Sequence, residues 1–198
     1  MDAKFAIMAS VRAAMMSAAR QAFIIKVRMS TRVTCKPGCS HCCKRYVVVT
    51  LAEALVLIDF LKRNKKWDRV ASVADAQKNS MSVKPVVWFK MGMTCPLLNQ
   101  DMCDAYEVRP AVCSAHHAFS PPETCSPLST SFNRYEPCEL TDVHTDFMKS
   151  FNRMIGKDSV FRIRAPMPAA LLAAERLSVT PGPDFDGLVA TLAKEFKA

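Results

Sequence analysis

Four cysteines fall within nine residues in the stretch Cys35-Lys36-Pro37-Gly38-Cys39-Ser40-His41-Cys42-Cys43, and Cys95, Cys103, Cys113, Cys125 and Cys138 follow. Thiolates are soft ligands that suit zinc and iron–sulfur clusters. Cys39 and Cys42 have the spacing that lets two thiolates grip one metal. Cys35 adds a third thiol through Pro37 and Gly38, residues that favour a tight turn. Cys43 is the awkward member, because adjacent residues tend to direct their side chains apart. The pair therefore points to two metal sites, to a polynuclear cluster, or to one ligand beside a structural thiol. Cys35, Cys39, Cys42, Cys43, Cys95, Cys103, Cys113 and Cys125 would supply two four-thiolate sites. Cys138 lies apart and reads as a small buried apolar residue. The expected bound species is zinc or iron, an iron–sulfur cluster included. His41, His116 and His117 stand close enough in sequence to replace a thiol or support one, and His144 reads as structural.

The rest of the composition narrows the setting. Nine cysteines cannot pair completely, and the chain is too long for a disulfide miniprotein. Arg12 and Arg20 interrupt any apolar signal core near the N-terminus, so a reducing, cytoplasmic location is expected, where thiols favour metal over disulfide. Six basic residues and one acid in residues 1–34 give the bias of an organellar transit peptide, but an ordinary amphipathic helix is the preferred reading. No stretch approaches the roughly 20 apolar residues of a membrane helix. A net charge of +9 permits an acidic partner. Nucleic-acid binding is weakly supported, because basic residues are not interleaved with aromatics. The densest basic patch, Lys62, Arg63, Lys65, Lys66 and Arg69, reads as a solvated helix end.

The elements that must position the thiols are mainly helical. Ile7, Val11, Met15, Ala18, Ala22, Ile25 and Met29 recur at spacings of three and four, which predicts one long helix over 3–29. Its length invites docking of a protein partner, although packing along its own domain is the preferred reading. Thr50-Leu51-Ala52-Glu53 matches a capping box, so a helix is expected from Leu51 to about Lys62, followed by one over about 67–79. Residues 83–91 read as a short extended segment, and 104–109 as a helical turn ended by Pro110. Val143, Phe147, Phe151 and Ile155 predict a helix over 140–157. Helices are also expected over 168–177 and up to about Phe196, the last capped by Asp184 or Asp186. The expected fold is mainly α, with a small cysteine-rich core in irregular loops. The expected division is a helical extension over 1–34, a metal-binding domain over 35–140, and a helical region over 141–198 packing on it.

The cysteine pattern, Cys95-Pro96-Leu97-Leu98, and above all Cys103-Asp104-Ala105-Tyr106-Glu107-Val108-Arg109-Pro110-Ala111-Val112-Cys113 resemble the bacterial YkgJ-type cysteine-cluster family, over about residues 35–125. The resemblance implies chelation of zinc or iron and no particular reaction. The first gap in the cluster is one residue longer than the commonest form, and Ser114 stands where many members carry arginine. Arg109 is read as neutralising a thiolate-rich site and Tyr106 as packing beside it; exposure of either would instead favour a substrate site.

Three functions compete. The first is a metal-binding protein whose metal is structural or handled, with a closed site. The second is an iron–sulfur redox or group-transfer enzyme, with an open coordination position and a pocket beside residues 95–117. The third is a basic adaptor that binds protein or nucleic acid through the N-terminal helix. No glycine-rich nucleotide loop, Ser-His-Asp set or paired carboxylates stand out.

Overall fold

The computed structural model describes residues 3–29, 33–36, 38–78, 84–125, 137–139, 141–155, 160–180 and 182–196. Eight helices and six short strands follow one another along these residues. They are α1 (Ala3–Arg28), β1 (Val48–Thr50), α2 (Leu51–Arg63), α3 (Trp67–Ala76), α4 (Pro85–Lys90), β2 (Leu98–Asn99), β3 (Met102–Cys103), α5 (Ala111–Ala115), β4 (His116–Ala118), β5 (Pro137–Glu139), α6 (Thr141–Met154), β6 (Arg164–Pro166), α7 (Met167–Val179) and α8 (Gly182–Glu195). The fold is mainly α, as expected. Among the described residues no helix is long and apolar enough to cross a membrane.

The long helix forms where the spacing places it. Val11, Met15, Ala18 and Ala22 are buried along one stripe, and Ile7 and Ile25 pack at its ends. The stripe meets α2, α5 and α6. The opposite side is also apolar: Met16, Phe23, Ile24 and Val27 are exposed. A helix of alanine and methionine needs little help to form. Its exposed apolar side is what packing inside this chain leaves over.

The second helix begins at the expected capping box. Thr50 Oγ1 accepts from Glu53 N at 3.2 Å, and Glu53 Oε2 accepts from Thr50 N at 2.9 Å. α2 is buried on nearly all sides between α1 and α7. α3 packs on α7 as well, and Trp67 Nε1 donates to Glu175 Oε1 at 2.6 Å. Val143, Phe147, Phe151 and Ile155 are buried at the α6 end of the same core, whose other end reaches Leu192 in α8.

Three differences from the expected elements matter. Residues 85–90 form a helix rather than an extended segment. Pro85 takes the first helical position, where its ring is pre-organised and its missing N–H costs nothing. Burial of Trp88, with its indole N–H on Lys44 O at 3.3 Å, fastens the helix to the cysteine loop. The last helix starts at Gly182, before either expected cap, Asp184 or Asp186. Short strand pairs join distant parts of the chain: β1 with β6, β2 with β3, and β4 with β5, all antiparallel. Two- and three-residue strands are too short to carry a readable period of two. The expected turn at Pro37-Gly38 lies partly outside the described residues; Gly38 itself has φ +81°, a conformation that favours glycine.

Candidate metal centre

The cysteine loop is shaped by its own backbone. Cys39 N donates to Lys36 O, and a single 3-10 turn over His41–Lys44 presents Cys42 and Cys43. The two adjacent thiols stay close enough that each strongly perturbs the ionisation of the other. Cys95 N donates to Cys43 O at 2.7 Å, which brings the second cysteine segment against the first.

A tight hairpin then delivers Cys103. Gln100 and Asp101 connect β2 to β3 with φ of +45° and +61°, the left-handed pair of a two-residue hairpin turn. Asp101 Oδ1 accepts from Ser40 Oγ at 2.6 Å and ties the hairpin to the cysteine loop. Arg69 holds it from the other side. Its guanidinium donates to Pro96 O at 3.1 Å, Leu98 O at 3.2 Å and Asp104 Oδ2 at 2.6 Å. Lys66 Nζ lies 3.2 Å from Asp104 Oδ1. Burial opposes the charge on Asp104, but its hydrogen bonds from Arg69 and Lys66 prevail and hold its carboxyl below the ordinary value. Lys62, Arg63, Lys65 and Lys66 of the basic patch are exposed, as expected of a solvated helix end, but Lys66 and the half-buried Arg69 also fasten the Cys95 and Cys103 turns. Nothing in the spacing of these residues signalled it.

Cys113 arrives on α5. The first amide of that helix, Ala111 N, donates to Glu53 Oε1 at 3.1 Å. The buried carboxylate that caps α2 thus anchors α5 too. Ser114, the departure from the family string, is fully buried, with its amide on Pro110 O.

These constraints bring six thiols to one cavity of about 350 Å³: Cys39, Cys42, Cys43, Cys95, Cys103 and Cys113. Cys35 and Cys125 do not line it. Cys35 Sγ accepts from Ala118 N at 3.2 Å, and the turn that carries Cys125 packs against the His41–Lys44 turn. Cys138 stands opposite His117 in the β4–β5 register, and its side chain lies outside the described residues. His116 lines the cavity. His117 does not, yet it is buried, and among the described residues neither ring nitrogen has a hydrogen-bond partner. His41 is half-buried and His144 sits on α6.

Burial governs most of the protonation states. It pushes the Cys95 thiol up to about 12 and Cys125 to about 11, and raises Cys35, Cys103 and Cys113. Cys42 is the exception. Its hydrogen bond with Cys43 outweighs burial and, with help from Arg109, draws it down to about 7, while the same bond raises Cys43. Burial holds both His116 and His117 down to about 4, so each is neutral near pH 7.

The donor chemistry fits a soft metal, since deprotonated thiols and neutral imidazoles are its ordinary ligands. The geometry is gathered but not closed: among the described residues no three His, Cys, Asp or Glu side chains are arranged to hold a metal ion.

Arg109 lies over the Tyr106 ring at 4.3 Å, and both line the cavity. Tyr106 is 41% exposed, which departs from the closed packing expected of it. Residues missed by sequence reasoning complete the walls: Arg45, Val47 and Val48 from the approach to β1, and Arg164 and Met167 from β6 and α7. The β1–β6 pairing places Arg164 and Met167 here, across more than a hundred residues of sequence.

No curated protein and no solved structure matches the chain. Residues 34–148, more than half of it, match the family model CxxCxxCC, described as "Putative zinc- or iron-chelating domain". The string from Cys103 to Cys113 and the cysteine loop both lie inside that match, and the chain belongs to the CxxCxxCC family.

Proposed function

We propose that the chain chelates zinc or iron, the latter as an ion or an iron–sulfur cluster, through the thiols of Cys39, Cys42, Cys43, Cys95, Cys103 and Cys113, with Cys35 and Cys125 beside them. The observation that carries this reading is that six cysteines from three separated stretches line one cavity. Cys42, whose thiolate forms most readily, would be the first to bind. Bound metal would supply the charge that converts the remaining thiols to thiolates and draws them inward. Residues 35–140 would form the metal-binding unit, framed by helices before and after it.

The cavity and the exposed Tyr106 favour an accessible centre over a sealed structural one. A closed four-thiolate site leaves no such space beside it. An accessible centre suits metal handling, or an iron–sulfur-dependent redox or group-transfer enzyme, better than a purely structural metal. The test is substitution. Cys42→Ser and Cys95→Ser should each lose most of the metal retained by the wild-type chain, measured by elemental analysis of gel-filtered protein. Undiminished metal in both variants would rule the assignment out.

A second reading concerns α1. Its exposed Met16, Phe23, Ile24 and Val27 are accompanied by Arg12, Arg20, Lys26 and Arg28, with no acid in the helix. This combination suits a protein partner that presents an acidic amphipathic helix.

A further inference from the structure

We propose that the cysteine cavity binds a small organic carboxylate beside the metal, with its charge on Arg109 and Arg164 and its apolar body against Tyr46, Met102 and Val112. This rests on the preceding reading of the cavity as an accessible metal site.

The space comes first. A cavity of about 350 Å³ lies near the lower end of small-molecule sites, roughly 300–1,000 Å³. Cysteines form only part of its lining. The rest is largely apolar or aromatic, including both tyrosines, Met102 and Met167. A metal ion alone has no use for such walls, whereas the carbon body of an organic ligand is held by them.

Charge then selects the ligand class. Among the described residues neither Arg109 nor Arg164 has an ion-pair partner. The carboxylate in the cavity lining, Asp101, accepts from Ser40 at the hairpin turn, and the arginines of the lining outnumber it. Thiolates offer Arg109 one role, since its charge eases deprotonation of Cys42, Cys103 and Cys113. Stacking on Tyr106 occupies the face of its guanidinium and leaves the in-plane N–H donors for an anion. Arg164 is different. It is exposed, it comes from the β1–β6 wall, and it lies outside the residues matched by the family. A second guanidinium there gives the cavity a means of recognising an anion that the cysteine segments alone do not provide. Arg45 also lines the cavity, with its charge acting on Cys42 and His116; Arg109 and Arg164 amid apolar walls suit a single carboxylate on an apolar body.

The experiment uses the full chain, purified anaerobically with its metal. Straight-chain carboxylates from butyrate to octanoate and 3-phenylpropionate are titrated against the matching primary amides and amines. Binding is read by calorimetry and by the fluorescence of Trp88, whose ring meets that of Tyr46 edge-on at 5.6 Å. Carboxylates should bind at least roughly tenfold more tightly than the amides, and Arg164→Gln should weaken them by about the same factor, while Arg164→Lys restores part of the loss. Metal content should be equal in all three proteins. Equal binding of amides, a preference for amines, an Arg164→Gln variant that binds as tightly as the wild type, or no binding up to about 10 mM would each overturn the inference. Metal analysis of the same samples separates the two claims. A chain that holds metal but does not prefer carboxylates sinks only this one, and a metal-free chain that prefers them sinks the chelation reading and the placement beside a metal while keeping the carboxylate site.

Discussion

Arg69 shows how much of the centre depends on residues that are not ligands. One guanidinium reaches the backbone on either side of Leu97 and the carboxylate next to Cys103. Replacing it with methionine keeps the aliphatic stem but leaves Asp104 buried with Lys66 as its only other cation among the described residues. Loss of a charged hydrogen-bond network of this kind costs about 2 kcal/mol, with allowance for the partial exposure of Arg69. Arg69→Met should therefore lower the urea midpoint and also speed metal loss to a chelator, because the Cys95 and Cys103 turns are no longer fastened. An unchanged chelation rate would show that the turns hold themselves. The cysteines and the Tyr106-to-Cys113 string were legible in the sequence because their types and spacings are rare. The roles of Arg69 and Arg164 were not, since Arg69 stood in a basic patch that reads as solvated and the contacts that place both are distant in sequence. The adjacent Cys42 and Cys43 also differed from expectation, because a 3-10 turn brings neighbouring side chains closer than an extended loop would.

At the scale of elements, periodicity served where helices are long. The stripe on α1, the capping box of α2 and the spacing of four on α6 all correspond to buried faces. It failed at α4, where six residues give less than two turns, and at the paired strands, whose partners are set by tertiary contacts. α1 supplies a direct comparison of its two faces. Met15 is buried, and Met15→Ala should destabilise the chain by about 2–4 kcal/mol. Phe23 is 64% exposed, and Phe23→Ser should change stability by no more than about 0.5 kcal/mol. Chemical denaturation measures both. If α1 docks an acidic amphipathic helix, Phe23→Ser should weaken that complex while leaving metal content unchanged. Removing residues 1–30 altogether is a poorer probe, because it also takes Val11, Met15, Ala18 and Ala22 out of the core.

For the whole molecule, two kinds of cohesion meet. An apolar core joins α1, α2, α3, α6, α7 and α8 without help from most of the thiols. The cysteine segments, by contrast, are built from turns and short strands attached to that core by Glu53 and Arg69. The helical core explains how a chain with its thiols short of ligand geometry can still be folded, and the turns explain why metal would tighten it. The most direct test of the central claim is the zinc, iron and acid-labile sulfide content, with an absorption spectrum, of anaerobically purified protein. The account predicts stoichiometric metal; iron with sulfide and a brown chromophore would support the iron–sulfur reading, and colourless zinc would support zinc chelation. A folded, helical chain that carries neither metal would contradict it.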